Sequence, residues 1–207
     1  MEVPGGNSNK LVVFLCEALG TAFLLMAVNF GGLSGNTPLV VALTVTGFAQ
    51  MVGPISGGHF NPAITIAMFI KELGQPTNNV TWDYNALFAV GIILSQLVGG
   101  IIGVCIVALS VDTRKNETAL SVPDINFITQ LCPACGCNDG GNFLFKVFWV
   151  EMIMTFLFAT LVLCIVKHNG SRDMPVNAIA IGFGLYTSIS IAGPISGGCI
   201  NPIVAII

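Results

Sequence analysis

Residues 53–63 read GPISGGHFNPA and residues 193–203 read GPISGGCINPI, so one eleven-residue phrase occurs twice at a constant offset of 140. Eight of the eleven positions are identical, namely the GPISGG block and the pairs Asn61-Pro62 and Asn201-Pro202. Each copy follows one apolar segment and opens another. Asn is a strong N-cap, and Pro suits the first helical position because its missing N–H has no partner there in any case. Each copy therefore reads as a loop that starts a helix.

The surroundings of the two copies decide what kind of helix. Of the 207 residues, 54% are hydrophobic and 8% are charged, with a mean hydropathy of +0.87. A soluble domain carries about 25% charged residues; this chain reads as an integral membrane protein. Its net charge of −3 comes from few groups and argues against nucleic acid as a partner. The first ten residues are polar and the apolar run from Leu11 is too long for a cleavable leader, so the first span is expected to act as its own insertion signal.

Spanning a bilayer takes roughly 20 apolar residues. Five segments qualify: 11–30, 38–54, 86–111, 143–167 and 175–193. The apolar pieces after the two phrases, about 61–70 and 201–207, are too short. Ten helical residues rise roughly 15 Å, half of a hydrocarbon core of roughly 30 Å, so these pieces read as re-entrant half-helices. Glu17 and Thr21 in the first span recur as Glu151 and Thr155 in the fourth, at an offset of 134. Three spans separate the two phrases, so the second half enters the membrane inverted. The expected fold is all-α: a single domain over 1–207, made of inverted repeats at about 11–111 and 143–207 joined by a loop at 112–142. Lysine and arginine counts place the N-terminus on the cytoplasmic side by four against three.

Irregular backbone inside a membrane survives only where protein buries it or where it lines a water-filled cavity. PISGGHF and PISGGCI are thus expected to be extended or looped, with carbonyls toward a pore. Gly57, Gly58, Gly197 and Gly198 permit unusual dihedrals and a close backbone approach. Two half-helices from opposite faces would meet at Asn61 and Asn201, each tip carrying roughly half a positive charge. Facing positive ends disfavour cations, and the Asn amides can donate hydrogen bonds to a neutral molecule. No catalytic group, cofactor site or metal site is expected; the pattern reads as a pore for small uncharged solutes.

SGGHFNPA at 56–63, SGGCINP at 196–202 and the helix glutamates Glu17 and Glu151 together resemble the aquaporin, or major intrinsic protein, family over the whole chain. The wording is most similar to the branch credited with passing ammonia and hydrogen peroxide as well as water. The resemblance implies a midplane motif of Asn61, Pro62, Ala63, Asn201, Pro202 and Ile203, pore-lining loops with Gly57, Gly58, His59, Gly197 and Cys199, and a homotetramer in the lipid bilayer. It also implies that Glu17 and Glu151 hold the loops by accepting backbone N–H bonds, whereas charged residues in spans taken alone also fit a proton relay.

Two departures stand out. The family continues its second motif with Ala-Arg, but here Ile203-Val204 follows, and the constriction positions counted from the motifs are Val41, Ile189, Gly198 and Val204. All four are apolar, which suggests a wider and less polar mouth. The family also has a sixth spanning helix, which would lie beyond Ile207, so the sequence reads as part of a longer protein. The function expected is a passive channel for water and other small neutral solutes: glycerol, urea, ammonia or hydrogen peroxide. The alternative is a poorly conducting structural subunit of a larger membrane assembly, since an all-apolar constriction can dewet.

Smaller features leave choices open. His59 either braces its loop along the pore or gates it with pH, and Cys199 sits where a mercurial would block the passage. Cys132, Cys135 and Cys137 suit a disulfide or free thiols better than a zinc site, which wants four ligands. Gly99 and Gly103 are expected to bring two helices of one protomer close together.

Overall fold

The structure is a computed structural model that describes residues 10–73, 82–110, 140–169 and 174–207. Those residues form helices α1 (Lys10–Ser34), α2 (Thr37–Ser56), α3 (Pro62–Leu73), α4 (Trp82–Ser110), α5 (Gly140–Asn169), α6 (Met174–Ser196) and α7 (Pro202–Ile206). Five of them contain stretches long and apolar enough to cross a membrane: Lys10–Ser34, Thr37–Ser56, Ala86–Ser110, Phe145–Val166 and Pro175–Ser196. The short helices α3 and α7 begin at the two Asn-Pro pairs. The fold is therefore an all-α, multi-pass membrane protein with two half-helices. Cys132, Cys135 and Cys137 lie outside the described residues.

One expectation is corrected. Residues 54–56 and 194–196 are not extended, because α2 and α6 run through Pro54 and Pro194 to Ser56 and Ser196. A residue before proline is pushed out of the helical region largely by its own Cβ. Here that residue is Gly53 or Gly193, which has none. Gly57 then ends α2 in the left-handed region at φ 91°, its N–H closing on the Gly53 carbonyl at 2.9 Å. The irregular backbone shrinks to Gly57–Phe60 and Gly197–Ile200.

Helix packing follows where small residues fall. A methyl group at Gly99 would lie 2.0 Å from the Ala18 carbonyl oxygen, and one at Gly103 would lie 2.4 Å from that of Ala22. Backbone touches backbone along the α1–α4 seam, so the GxxxG is spent within the protomer. At Gly182, a Cβ would lie 1.9 Å from the Thr46 hydroxyl, which brings α2 against α6 and joins the two repeats. The core clusters between them, with Leu24, Val45, Phe60, Phe158, Leu185 and Ile200 all buried.

The repeats match in side-chain detail but differ in what covers them. On α1, Phe14, Glu17, Ala18, Ala22 and Leu25 face α4 through Gly91, Gln96, Gly99, Gly103 and Gly100. Adding 134 gives Phe148, Glu151, Met152, Phe156 and Ala159, and all five line a lateral groove of about 630 Å³ beside α7. Among the described residues, the face of α5 that corresponds to the α4-bearing face of α1 is this groove.

Candidate functional site

The two loops come together at the Asn-Pro pairs. Asn61 Oδ1 accepts from the N–H of Ala63 at 2.9 Å, and Asn201 Oδ1 accepts from that of Ile203 at 3.0 Å, so each side-chain oxygen caps its own half-helix. Each side-chain nitrogen reaches the other loop. Asn61 Nδ2 donates to the Ile200 carbonyl and Asn201 Nδ2 to the Phe60 carbonyl, both at 2.9 Å. An amide NH₂ carries two donors, so one N–H on each Asn remains beyond this cross-brace. Pro62 is buried at the start of α3, Ile203 is in the core, and Ala63 lies on the lateral groove.

The backbone that puts these carbonyls in reach is strained. Gly57, Gly58, Gly197 and Gly198 have φ of 91°, 62°, 92° and 68°, the left-handed region where glycine has no Cβ to clash. Phe60 and Ile200 also have positive φ, at 48° and 50°. For a β-branched residue such as Ile200 this is an outlier, and each such residue costs on the order of 1–3 kcal/mol.

Two carboxylates, one fully buried and one partly exposed, hold the strain in place. Glu17 is 0% exposed. Its Oε1 accepts from Ser56 Oγ at 2.8 Å and the His59 N–H at 2.9 Å. Its Oε2 accepts from the Phe60 N–H at 2.8 Å and Gln96 Nε2 at 2.9 Å. Glu151 repeats the pattern on the second loop, accepting from Ser196 Oγ, the Cys199 N–H at 3.0 Å and the Ile200 N–H at 2.8 Å. Hydrogen bonds to a charged acceptor contribute about 1.5–3 kcal/mol each, enough to offset the strain at Phe60 and Ile200.

Gln96 was not among the residues the sequence singled out, and its partner Thr65 was not either. Gln96 is fully buried in α4, and Nε2 also donates to Thr65 Oγ1 at 3.1 Å. Thr65 Oγ1 in turn lies 3.1 Å from the Asn61 carbonyl and 3.2 Å from His59 Nδ1. A lone amide within an apolar span was the available signal. The counterpart of Thr65 in the second repeat is Ala205, so Cys199 has no equivalent brace.

Around these loops lies a cavity of about 850 Å³ lined by both repeats. Gly57, Gly58, His59, Asn61, Gly197, Cys199 and Asn201 all border it. So do Val41, Ile189, Gly198 and Val204, the four positions counted from the motifs. Among the described residues, no lysine, arginine, aspartate or glutamate does. A cavity without charges and with a few convergent polar groups can receive small neutral molecules.

Residues 8–206 match the model of the major intrinsic protein family. The chain is 30% identical over 194 residues to glycerol uptake facilitator protein-like 6 of Lactiplantibacillus plantarum, covering 93% of this chain and 76% of that one. It is 29% identical over 202 residues to nodulin-26 of Glycine max, covering 91% and 63%. It is 32% identical over 168 residues to aquaporin-5 of Sus scrofa, covering 79% and 53%. The chain thus spans between about half and three quarters of the length of these relatives.

Proposed function

The chain belongs to the major intrinsic protein family of membrane channels, and from that premise we propose that it is a passive channel for water and other small neutral solutes. The observation that carries the reading is the uncharged cavity shared by both repeats, with Asn61 and Asn201 joined across its middle. One amide N–H on each Asn is available to a solute, and the paired half-helix N-termini disfavour a cation there. Glu17 and Glu151 act as anchors for the loops, because their oxygens are taken up by loop donors. No step in this reading needs a catalytic group, so the protein is a conduit and not an enzyme.

The solute range follows from Val41, Ile189, Gly198 and Val204, which offer apolar surface and one bare backbone position. Such a lining supports passage of solutes larger or less polar than water, including glycerol, urea, ammonia and hydrogen peroxide. The names of the relatives, a glycerol uptake facilitator-like protein and aquaporins, point the same way. The exposed apolar faces of the spanning helices suit a bilayer and a homotetramer with one pore per protomer. Osmotic stopped-flow on proteoliposomes tests the proposal: water permeability well above that of empty vesicles is expected, and none above them, with folded protein present, rejects it. The same apolar ring favours the alternative of a poorly conducting structural subunit, for which folded protein with a dry lumen is the expected result.

A further inference from the structure

We infer that the passage carries two selectivity rings in series, one on each side of the Asn61–Asn201 junction. The second ring is Ala49, Gly58, Ile64 and Ile181, and together with Val41, Ile189, Gly198 and Val204 it sorts uncharged solutes by width.

The internal repeat locates this ring. Ile189, Gly198 and Val204 lie in the second half of the chain, and an offset of 140 carries them back to Ala49, Gly58 and Ile64. Val41 lies in the first half, and the same offset carries it forward to Ile181. All four counterparts border the central cavity, as the first four do. The match holds in contacts as well as in position. A Cβ at Gly198 would lie 2.9 Å from the carbonyl oxygen of Ile189, and one at Gly58 would lie 3.3 Å from the Ala49 Cα. Both glycines are left-handed, with φ of 68° and 62°. Each loop therefore presses its glycine against the matching residue of its own preceding helix.

Helix geometry sets the two rings at different depths. Gly182 meets α2 at Ala42 and Thr46, so α2 and α6 cross there. On α2, Val41 precedes the crossing and Ala49 follows it. On α6, Ile181 precedes it and Ile189 follows it. With the second half inverted, the start of one helix shares a level with the end of the other. Val41 then stands with Ile189, and Ala49 with Ile181. Eight helical residues rise about 12 Å, which separates the levels and leaves the asparagine junction between them.

Neither ring offers a solute a polar side chain. A molecule bearing hydroxyl groups sheds water at each ring without replacement, which costs free energy. Between the rings it regains partners at the amides of Asn61 and Asn201. The rings also carry similar bulk, Val, Ile and Val in the first against Ile, Ala and Ile in the second. Two comparable barriers in series share the resistance. Opening one leaves the other in control.

The rings rest on the channel reading, and stopped-flow with glycerol and with water on proteoliposomes of folded protein tells the two apart. Ile189→Ala or Ile181→Ala alone should raise glycerol permeability by about twofold or less, because the untouched barrier still limits the rate. Both together should raise it by about fivefold or more, beyond the product of the singles. A full rise from Ile189→Ala, with nothing added by Ile181→Ala, would leave one ring in control and overturn the inference. Ala49→Ile tightens the second ring and leaves the first intact. It should lower glycerol permeability by about tenfold and water permeability by about twofold or less. An unchanged glycerol-to-water ratio in that variant overturns the second ring, even where the truncated variants fail to fold. Where the wild type passes water and no glycerol, the pair of truncations must open glycerol passage and neither single may do so; any other result overturns the rings and leaves the channel standing. A wild-type protein that passes neither rejects the channel and the rings together.

Discussion

The side-chain nitrogen of Asn61 donates to the carbonyl oxygen of Ile200 at 2.9 Å, and across the same junction Asn201 returns the bond to Phe60. Each asparagine therefore does two jobs with two atoms, capping its own half-helix with oxygen and gripping the opposite loop with nitrogen. The gripped residues are the two non-glycine residues with positive φ among those described. The strain at each loop is thus held from two sides, by a glutamate on its N–H and by the opposing asparagine on its C=O.

Replacing asparagine by aspartate separates those jobs. Asn61→Asp keeps the capping oxygen and loses the donor, setting a carboxylate against the Ile200 carbonyl. A loss of about 1–3 kcal/mol is expected, the cost of one broken buried bond with its acceptor left unpaired, with helix content unchanged. Because the two bonds clamp one junction, Asn61→Asp with Asn201→Asp should cost less than the sum of the singles, by about 0.5–3 kcal/mol. Denaturation followed by circular dichroism measures both, and strict additivity would mean that the two loops are held separately.

The carboxylates should differ in weight. Glu17 is fully buried with four donors, whereas Glu151 is partly exposed and accepts from three. Glu17→Gln places an NH₂ against donors that need an acceptor and should cost about 3–5 kcal/mol, as for one partner removed from a buried charged network. Glu151→Gln should cost less. Thermal unfolding in detergent decides the order, and a larger loss at Glu151 contradicts this account of the loop anchors.

Much of this architecture could be read from eleven residues given twice. Asn followed by Pro is a local signal with a local cause, so the starts of α3 and α7 were legible, as were the left-handed glycines. The ends of α2 and α6 were not, because proline reads as a helix breaker unless the residue before it, here Gly53 or Gly193, has no Cβ to clash. The positive φ at Phe60 and Ile200 has no local cause at all. It arises from carboxylates more than forty residues away, 43 for Glu17–Phe60 and 49 for Glu151–Ile200. Gln96 and Thr65 escaped notice for the same reason, since their roles exist only where α1, α3 and α4 meet. Room for Phe60 is likewise set at a distance. A Cβ at Gly20 would lie 2.1 Å from its ring, while in the second repeat the sizes are exchanged, with Met154 and Ile200 sharing the core.

Two glycine substitutions test the helix seam against its own control. Gly99→Ala puts a methyl group 2.0 Å from the Ala18 carbonyl oxygen, so α1 and α4 must move apart. Overpacking of this kind costs about 1–3 kcal/mol. Gly47→Ala meets nothing within 4 Å and should be neutral or slightly stabilising, as alanine favours a helix by about 1 kcal/mol over glycine. Melting temperatures of the two variants are expected to move in opposite directions, and a parallel drop would show that the seam has no special closeness.

Val204 borders the cavity together with Val41, Ile189 and Gly198, and it stands where the family pattern carries arginine. Val204→Arg would add a long cation to a lining that, among the described residues, bears no lysine, arginine, aspartate or glutamate. Its guanidinium has five donors and needs acceptors or water, so it should project into the lumen and narrow it. A solute as wide as glycerol must then pass beside the new group, whereas water can hydrogen-bond to it and still move. Glycerol permeability is expected to fall by about tenfold or more and water permeability by about twofold or less; in free-energy terms the difference is on the order of 1 kcal/mol in barrier height. Parallel glycerol and water stopped-flow on the same vesicles measures the ratio. An equal loss for both solutes would mean that Val204 does not lie at the narrow part of the passage, and that the count from Asn201 fails at this position.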